Sequence, residues 1–304
     1  LDQSRLAGFA LDSLCMTNLR RDHLDYHGSL ETYHAAKARS LELVDPTGFG
    51  VFNADDPGVL SLAHRFDGPA LTIGIDTAAE ISAQVVEQHR SEQTFLLCAG
   101  SDIVPVRTRM IGLHHVYNCL SAAAVGLTLG LELPEVVAGL EAVEFVTGRL
   151  QRLEFGQPFG VFLDYAHTPD ALAGCLKTLQ GVTEGRTIVV FGAGGDRDQG
   201  KRPFMGQAAE AFADRIILTD DNPRNEEPIA IIGDILQGIE DHDRVDVIPD
   251  RRTAIREALY EAQPGDCVLI AGKGHETYQE IGDDRFPMDD YETARNWLIE
   301  ESLH

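Results

Sequence analysis

Lysine is nearly absent from this chain. Of its 25 basic residues only Lys37, Lys177, Lys201 and Lys273 are not arginine. A chain that otherwise uses arginine keeps lysine where a compact point charge, or an amine able to lose its proton, is required. Positive charge as a whole is scarce too: 49 acids face those 25 bases, for a net charge of −24. The resulting field repels nucleic acid and anionic membrane, so neither is expected as a partner. Any anionic ligand must instead be met by local arginines and backbone N–H groups. No run of 18 apolar residues occurs, which excludes a membrane-spanning helix, and no basic-then-apolar leader is visible ahead of the first motifs. The five cysteines (15, 98, 119, 175 and 267) are scattered and form no C-x-x-C pair. That argues against a zinc ribbon or redox motif and for reduced core thiols in a cytoplasmic protein.

At 304 residues and 43% hydrophobic, the chain is long enough for two ordinary domains. Its second half alternates apolar runs with amphipathic stretches. Strands are expected at 160–164, 187–191, 215–219, 245–248 and 267–271. Helices are expected at 169–179, 203–213, 228–239, 252–261 and 291–301, several opening with proline in the first turn, where its missing donor costs nothing. This pattern predicts an α/β fold with a doubly wound, mostly parallel sheet. The first half is less regular. A strand end at 14–17, a helix over 29–43, strands at 51–53, 71–75, 84–87, 94–98 and 103–107, and helices over 115–131 and 134–142 are expected. A hinge near Thr147-Gly148 divides the chain into domains 1–146 and 147–304.

Three polar clusters follow apolar runs in the second half: Gly194-Gly195-Asp196-Arg197-Asp198, Asp221-Asn222-Pro223-Arg224 and Gly272-Lys273-Gly274-His275-Glu276. In a doubly wound sheet, ligands sit beyond the carboxyl ends of the strands, where all three would fall. An acid beside a guanidinium suits a free amino acid: Asp221 can accept from an ammonium, while the Arg224 fork grips a carboxylate with two parallel bonds. Pro223 fixes its own φ and restricts Asn222, stiffening the loop. Asp-Asn-Pro-Arg alone reads more readily as a β-turn at a strand end; three clusters together favour the binding reading.

Asp22-His23-Leu24-Asp25-Tyr26-His27-Gly28, Asp164-Tyr165-Ala166-His167-Thr168-Pro169-Asp170, Gly194-Gly195-Asp196-Arg197-Asp198-x-Gly200-Lys201-Arg202-Pro203, Asp221–Arg224 and Ala271–Glu276 occur in the order seen in the Mur ligases, and the chain resembles that family over nearly its whole length. The likeness is strongest to the branch that adds diaminopimelate. The resemblance implies a partial central ATPase domain followed by a Rossmann-like C-terminal domain that binds the amino acid. It implies an ATP-dependent amide ligase joining meso-diaminopimelate to UDP-MurNAc-L-Ala-D-Glu in peptidoglycan precursor synthesis. These three small molecules would be its partners, and the chain a monomer. The metal would be Mg²⁺, with His23 as a ligand and Lys37 carbamylated by CO₂ as another, chemistry open only to a neutral amine. Gln3 and Arg5 match positions that contact the nucleotide-sugar dipeptide. Asn118, Arg149, Asp164 and His167 match the ATP site, with Arg149 also catalytic alongside His23 and Lys37. Arg197, Asp221, Asn222, Pro223, Arg224, Gly272 and Glu276 match the diaminopimelate pocket.

The distal carbon of diaminopimelate carries an ammonium and a carboxylate; lysine lacks the carboxylate and would leave arginine forks partly unpaired, at roughly 1–3 kcal/mol. The chain departs from the family pattern at Gly112–Asn118, where Gly-Leu-His-His-Val-Tyr-Asn replaces Gly-Arg-Phe-Asn-Val-Tyr-Asn, and at Thr147, where a proline is common. No G-x-x-x-x-G-K-[ST] loop occurs and the uridine-binding domain has no counterpart, so the chain reads as the C-terminal part of a longer ligase, inactive alone. The open alternatives are a lysine-adding or other Mur-type ligase, a folylpolyglutamate-synthetase-like ligase, and a non-catalytic binding module.

Overall fold

The computed structural model describes residues 1–301 apart from 4, 5, 7 and 21–23. The chain divides into two compact units, Leu1–Glu144 and Phe145–His304. In the first lie β1 (Leu11–Met16), α1 (Leu24–His27), α2 (Leu30–Ala38), β2 (Val44–Asn53), α3 (Pro57–Ala63), β3 (Ala70–Gly74), β4 (Ile81–Gln88), β5 (Gln93–Ala99), β6 (Asp102–Thr108), α4 (Leu113–Thr128) and α5 (Leu133–Ala142). The second holds β7 (Gln151–Leu153), β8 (Gly160–Asp164), α6 (Pro169–Gln180), β9 (Thr187–Phe191), α7 (Arg202–Phe212), β10 (Arg215–Leu218), α8 (Pro228–Leu236), β11 (Val245–Val247), α9 (Arg251–Glu261), β12 (Cys267–Ala271), β13 (Tyr278–Ile281), β14 (Asp284–Pro287) and α10 (Asp290–Glu301).

In the first unit the six strands run in sequence order, β1 to β4 parallel and β5 and β6 antiparallel. The core forms where α4 lays Val116, Leu120, Ala123 and Ala124 against Val51, Ile73, Phe95 and Leu97. Two sequence expectations fail here. The helix expected over 29–43 ends at Ala38 and continues as a 3-10 turn, Arg39–Leu43. The strand expected at 51–53 begins at Val44, because Pro46, Thr47 and Gly48 hide a run that pairs with β1. Helix α3 lies outside every sequence expectation, although Asp56 caps it through Val59 N–H and Pro57 opens it.

The second unit follows its pattern closely. Its main sheet has the order β11-β10-β9-β12-β8-β7, parallel except for β7. Strands β8, β9 and β12 are buried at every residue, which is why they read as unbroken apolar runs rather than alternating ones. Thr168 caps α6 and Pro169 begins it; Asp250 caps α9 through Thr253 N–H. The antiparallel pair β13–β14 was not expected from sequence, since its short, mostly polar strands are largely exposed and carry no buried stripe.

Candidate amino-acid site at the strand ends of the second unit

Four loops leave the carboxyl ends of β8, β12, β9 and β10, and together they carry eight of the candidate site residues named above: His167, Arg197, Asp221, Asn222, Pro223, Arg224, Gly272 and Glu276. Two arginines fix the floor. Arg251 is fully buried; it donates to Asp290 through Nε and Nη2 at 2.8 Å, to the Ala271 carbonyl at 2.9 Å and to the Asp220 carbonyl at 3.2 Å. It therefore ties the end of β12 to the end of β10. Arg202, also buried, donates to Glu226 and Asp234 at 2.8 and 2.9 Å and to the Gly194 carbonyl at 3.3 Å. Buried guanidinium groups are tolerated only when paired and hydrogen-bonded, as both are here.

On that floor the β9 and β10 loops touch backbone to backbone. Gly195 N–H donates to the Asn222 carbonyl at 2.9 Å, and any side chain at Gly195 would collide with the Pro223 carbonyl. Asn225 and Asp196 close the same junction through side chains at 2.8 Å. Asp196 and Arg224 both hold positive φ, 53° and 51°, a conformation costly outside glycine that persists when surrounding contacts over-determine it. Arg224 is held from both sides: its N–H donates to the Glu280 carbonyl at 3.0 Å, and its carbonyl accepts from Gly282 N–H at 2.7 Å. The Arg224 and Arg197 side chains flank Gly194. Arg197 is exposed and donates to the Asp196 carbonyl at 3.0 Å.

Asn222 links this half of the site to the β12 loop. Its Oδ1 accepts from Lys273 Nζ at 3.0 Å and from Glu280 N–H at 2.9 Å, which leaves Nδ2 to donate to Glu276 Oε2 at 2.9 Å. Lys273 is completely buried and also reaches Glu276 Oε2, at 3.1 Å. The Tyr165 hydroxyl lies 3.5 Å from Glu276 Oε1. Asp221 is buried with its carboxylate against Gly272, whose φ of +112° and lack of a side chain let the two approach. Asp221, Asn222, Arg224, Gly272 and Glu276 are thus brought into one connected arrangement, with Pro223 buried beneath and Arg197 at its edge.

The ATP-side candidates cluster around Tyr165. Arg149 lies over its ring at 5.2 Å, and His167 and His275 approach it at 4.6 and 5.3 Å. Asp164 is not an open ligand: it is buried and accepts from Leu150 N–H at 2.6 Å, pinning the turn that carries Arg149. Burial pushes its carboxyl above the usual range. In the first unit the candidates are dispersed. Lys37 is half-buried on α2 with its amine 5.4 Å from the Tyr33 ring, Asn118 is exposed within α4, and Gln3 is exposed. His23 and Arg5 lie outside the described residues. No group of three His, Cys, Asp or Glu that could hold a metal occurs among the described residues.

Sequence reasoning gave no part to Glu280, Glu226 or the Tyr165 ring. Arg202 and Lys273 stood inside quoted motifs, and the rarity of lysine was the available signal for Lys273. Glu280 had none, since it belongs to the unexpected β13–β14 pair.

The parallel α/β sheet of the second unit carries arginines and acids on the loops at its carboxyl ends, the place where folds of this class bind ligands. Residues 1–126 match the Mur ligase middle domain and residues 148–274 the Mur ligase glutamate ligase domain. The chain belongs to the Mur ligase family. It is 42% identical over 302 residues to the UDP-N-acetylmuramoyl-L-alanyl-D-glutamate–2,6-diaminopimelate ligase of Geobacillus thermodenitrificans, covering 97% of this chain and 62% of that one. The enzyme of the same name from Xylella fastidiosa is 44% identical over 304 residues, with 98% and 61% covered. A solved structure of a ligase with this name matches at 37% identity and a TM-score of 0.63, covering 100% of this chain and 63% of that one. MurF from Thermotoga maritima, at 16% identity and a TM-score of 0.74, shares the fold. The chain spans about three-fifths of the length of the curated relatives it matches. No helix among the described residues is long and apolar enough to cross a membrane.

Proposed function

We propose that this chain forms the amino-acid-binding part, and much of the ATPase part, of an ATP-dependent ligase that joins meso-diaminopimelate to UDP-MurNAc-L-Ala-D-Glu. The observation that carries the reading is the Arg224–Asn222–Glu276 arrangement, with both a cation and an acid at the ends of β10 and β12, in a chain more than 40% identical to ligases named for diaminopimelate. Arg224 and Arg197 would take the distal carboxylate. Glu276, oriented by Asn222 and Lys273, would take the distal ammonium together with Asp221. The other amine is then directed at the D-glutamyl acyl phosphate that ATP forms. A C–N bond forms, the C–O bond to phosphate breaks, the amine loses its proton, and phosphate leaves. Holding the amino acid by its remote end converts this attack into a near-unimolecular step. Arg149, set by the Asp164-bound turn, would offer positive charge to the phosphates.

The magnesium reading rests on His23 and on a carbamate at Lys37. The described residues alone supply no donor set for a divalent cation, so no step is assigned to it. A carbamate would turn Lys37 from a cation into an oxygen donor suited to that hard ion.

Lysine as substrate is the second reading, and the two arginines beside Gly194 disfavour it. Calorimetric titration of the chain with meso-diaminopimelate and with L-lysine separates them. Diaminopimelate should bind at least about tenfold more tightly, the equivalent of about 1.4 kcal/mol. Equal affinities would overturn the assignment.

A further inference from the structure

Arg224 is not an isolated fork waiting for a carboxylate. Its Nε donates to Glu280 Oε2 at 2.8 Å and its Nη2 pairs with the same oxygen at 2.8 Å, while Nη1 donates to the Gly195 carbonyl at 2.8 Å. A guanidinium carries five N–H donors in one plane, so these contacts fix that plane and occupy its Nε side. The donors that remain are on the two Nη atoms, and the side chain stays about one-fifth exposed. Glu280 is itself balanced: its other oxygen, Oε1, accepts from Arg285 Nε and Nη2 at 3.2 and 2.9 Å. Burial alone would raise the Glu280 carboxyl, yet Arg285 and Arg224 hold it below the usual range, so it stays charged. The Arg224–Glu280–Arg285 row therefore keeps a net positive charge, which a lone Arg–Glu pair would have cancelled.

We propose that Glu280 is the specificity-positioning residue of the pocket: it holds the Arg224 guanidinium so that its outer Nη edge meets the distal carboxylate of the amino-acid substrate. This rests on the diaminopimelate reading above and deepens it. Glu280 touches no substrate atom; it acts through Arg224. Its place is secured independently of its side chain, because the bonds between Arg224 and the Glu280–Gly282 strand are made by backbone. Removing the carboxylate should accordingly leave the loop in place and free the arginine to swing, losing the entropy saved by preorganisation. The consequence is selective. A ligand with a distal carboxylate needs the fork in position; lysine does not.

The test is the affinity of the chain for meso-diaminopimelate and for L-lysine in wild type, Glu280→Gln and Glu280→Asp, with thermal unfolding of each variant recorded alongside. The expected result is that Glu280→Gln weakens diaminopimelate about tenfold or more, leaves lysine unchanged, and so collapses the ratio between them. Glu280→Asp should recover part of that ratio. Equal weakening of both ligands would mean that Glu280 merely braces the loop, and overturns the proposal, as would no change in either. If the wild-type chain itself fails to prefer diaminopimelate, the functional reading falls first and this inference with it. If the wild type prefers it and Glu280→Gln does so equally, only the inference falls.

Discussion

Asp55 and Asp220 occupy equivalent places in the two units, each two residues beyond the end of a parallel strand, and they are treated in opposite ways. Asp55 accepts from the N–H groups of Ile75, Asp76 and Thr77 at 2.6, 3.1 and 2.6 Å and from the Tyr117 hydroxyl at 2.7 Å. Against the burial that would raise it, those bonds pull its carboxyl down to about 2. Asp220 has a buried Oδ1 with no hydrogen-bond partner; burial, opposed by Arg251 and reinforced by Asp250 and Asp221, lifts it to about 6. The first carboxylate is consumed in closing a loop. The second sits poorly satisfied next to Asp221, at the edge of the candidate site. Native folds tolerate an unsatisfied buried group where surrounding structure imposes it, and such places concentrate at functional sites.

The same contrast runs through the candidate residues. In the second unit Asn222 bonds Glu276 directly and its carbonyl accepts from Gly195 N–H, while buried Arg251 and Arg202 tie down the ends of the loops that carry them, so this part of the site is preorganised. In the first unit Lys37 and Asn118 stand on separate helices with no shared cluster among the described residues, so their proposed roles depend on groups brought by ligand.

The largest expected effect comes from the floor. Arg251→Met would strand Asp290, which is fully buried, without its partner. Breaking such a pair costs about 3–5 kcal/mol. The single tryptophan, Trp297, packs against the core of the second unit, so its fluorescence during urea unfolding reads this loss directly. A change within about 0.5 kcal/mol would show that the arginine floor is dispensable.

Titration sharpens the comparison next. Asp55 has a folded pKa below its unfolded value, so its contribution is present above about pH 4 and is lost as pH falls through about 2. At neutral pH, Asp55→Asn should cost the first unit about 1–2 kcal/mol after allowing for solvent screening. Hydrogen exchange at Val51 and Phe52, both fully buried, is the measurement. Asp220 has the opposite sign. Its folded pKa lies above the unfolded one, so the folded state binds more protons and stability declines as pH rises from about 4 through about 6. Asp220→Asn should remove that decline and, above pH 6, stabilise the second unit by about 1 kcal/mol. Parallel pH profiles in the two variants would erase the distinction drawn here.

The smallest effect is expected from Tyr117→Phe, which deletes one bond to Asp55. A loss of about 1 kcal/mol in the first unit, with the second unit unmoved, would place that hydroxyl among ordinary structural hydrogen bonds.

Legibility in the sequence followed burial. Strands β8, β9 and β12 were visible because both faces are covered, and the motif loops at their ends were visible because glycine and proline punctuate them. What escaped was carried by elements with no apolar stripe. The β13–β14 pair is short and mostly polar, and it supplies Glu280. Strand β2 hides behind Pro46, Thr47 and Gly48. Pairings also escaped: Arg202 with Glu226 spans 24 positions and Arg224 with Glu280 spans 56, separations that no local pattern encodes. Asp164 was placed correctly at a strand end, yet only coordinates reveal that it faces Leu150 N–H.

The central claim is that one zwitterionic amino-acid head group is held between the loops that follow β9, β10 and β12. Amide and side-chain chemical shifts of the isotope-labelled chain, followed as meso-diaminopimelate is added, test it most directly. Saturable changes concentrated at residues 194–197, 221–224 and 272–276, with the Arg224 guanidinium among them, are the predicted result. Saturable changes elsewhere in the chain, with those three loops silent, would contradict it.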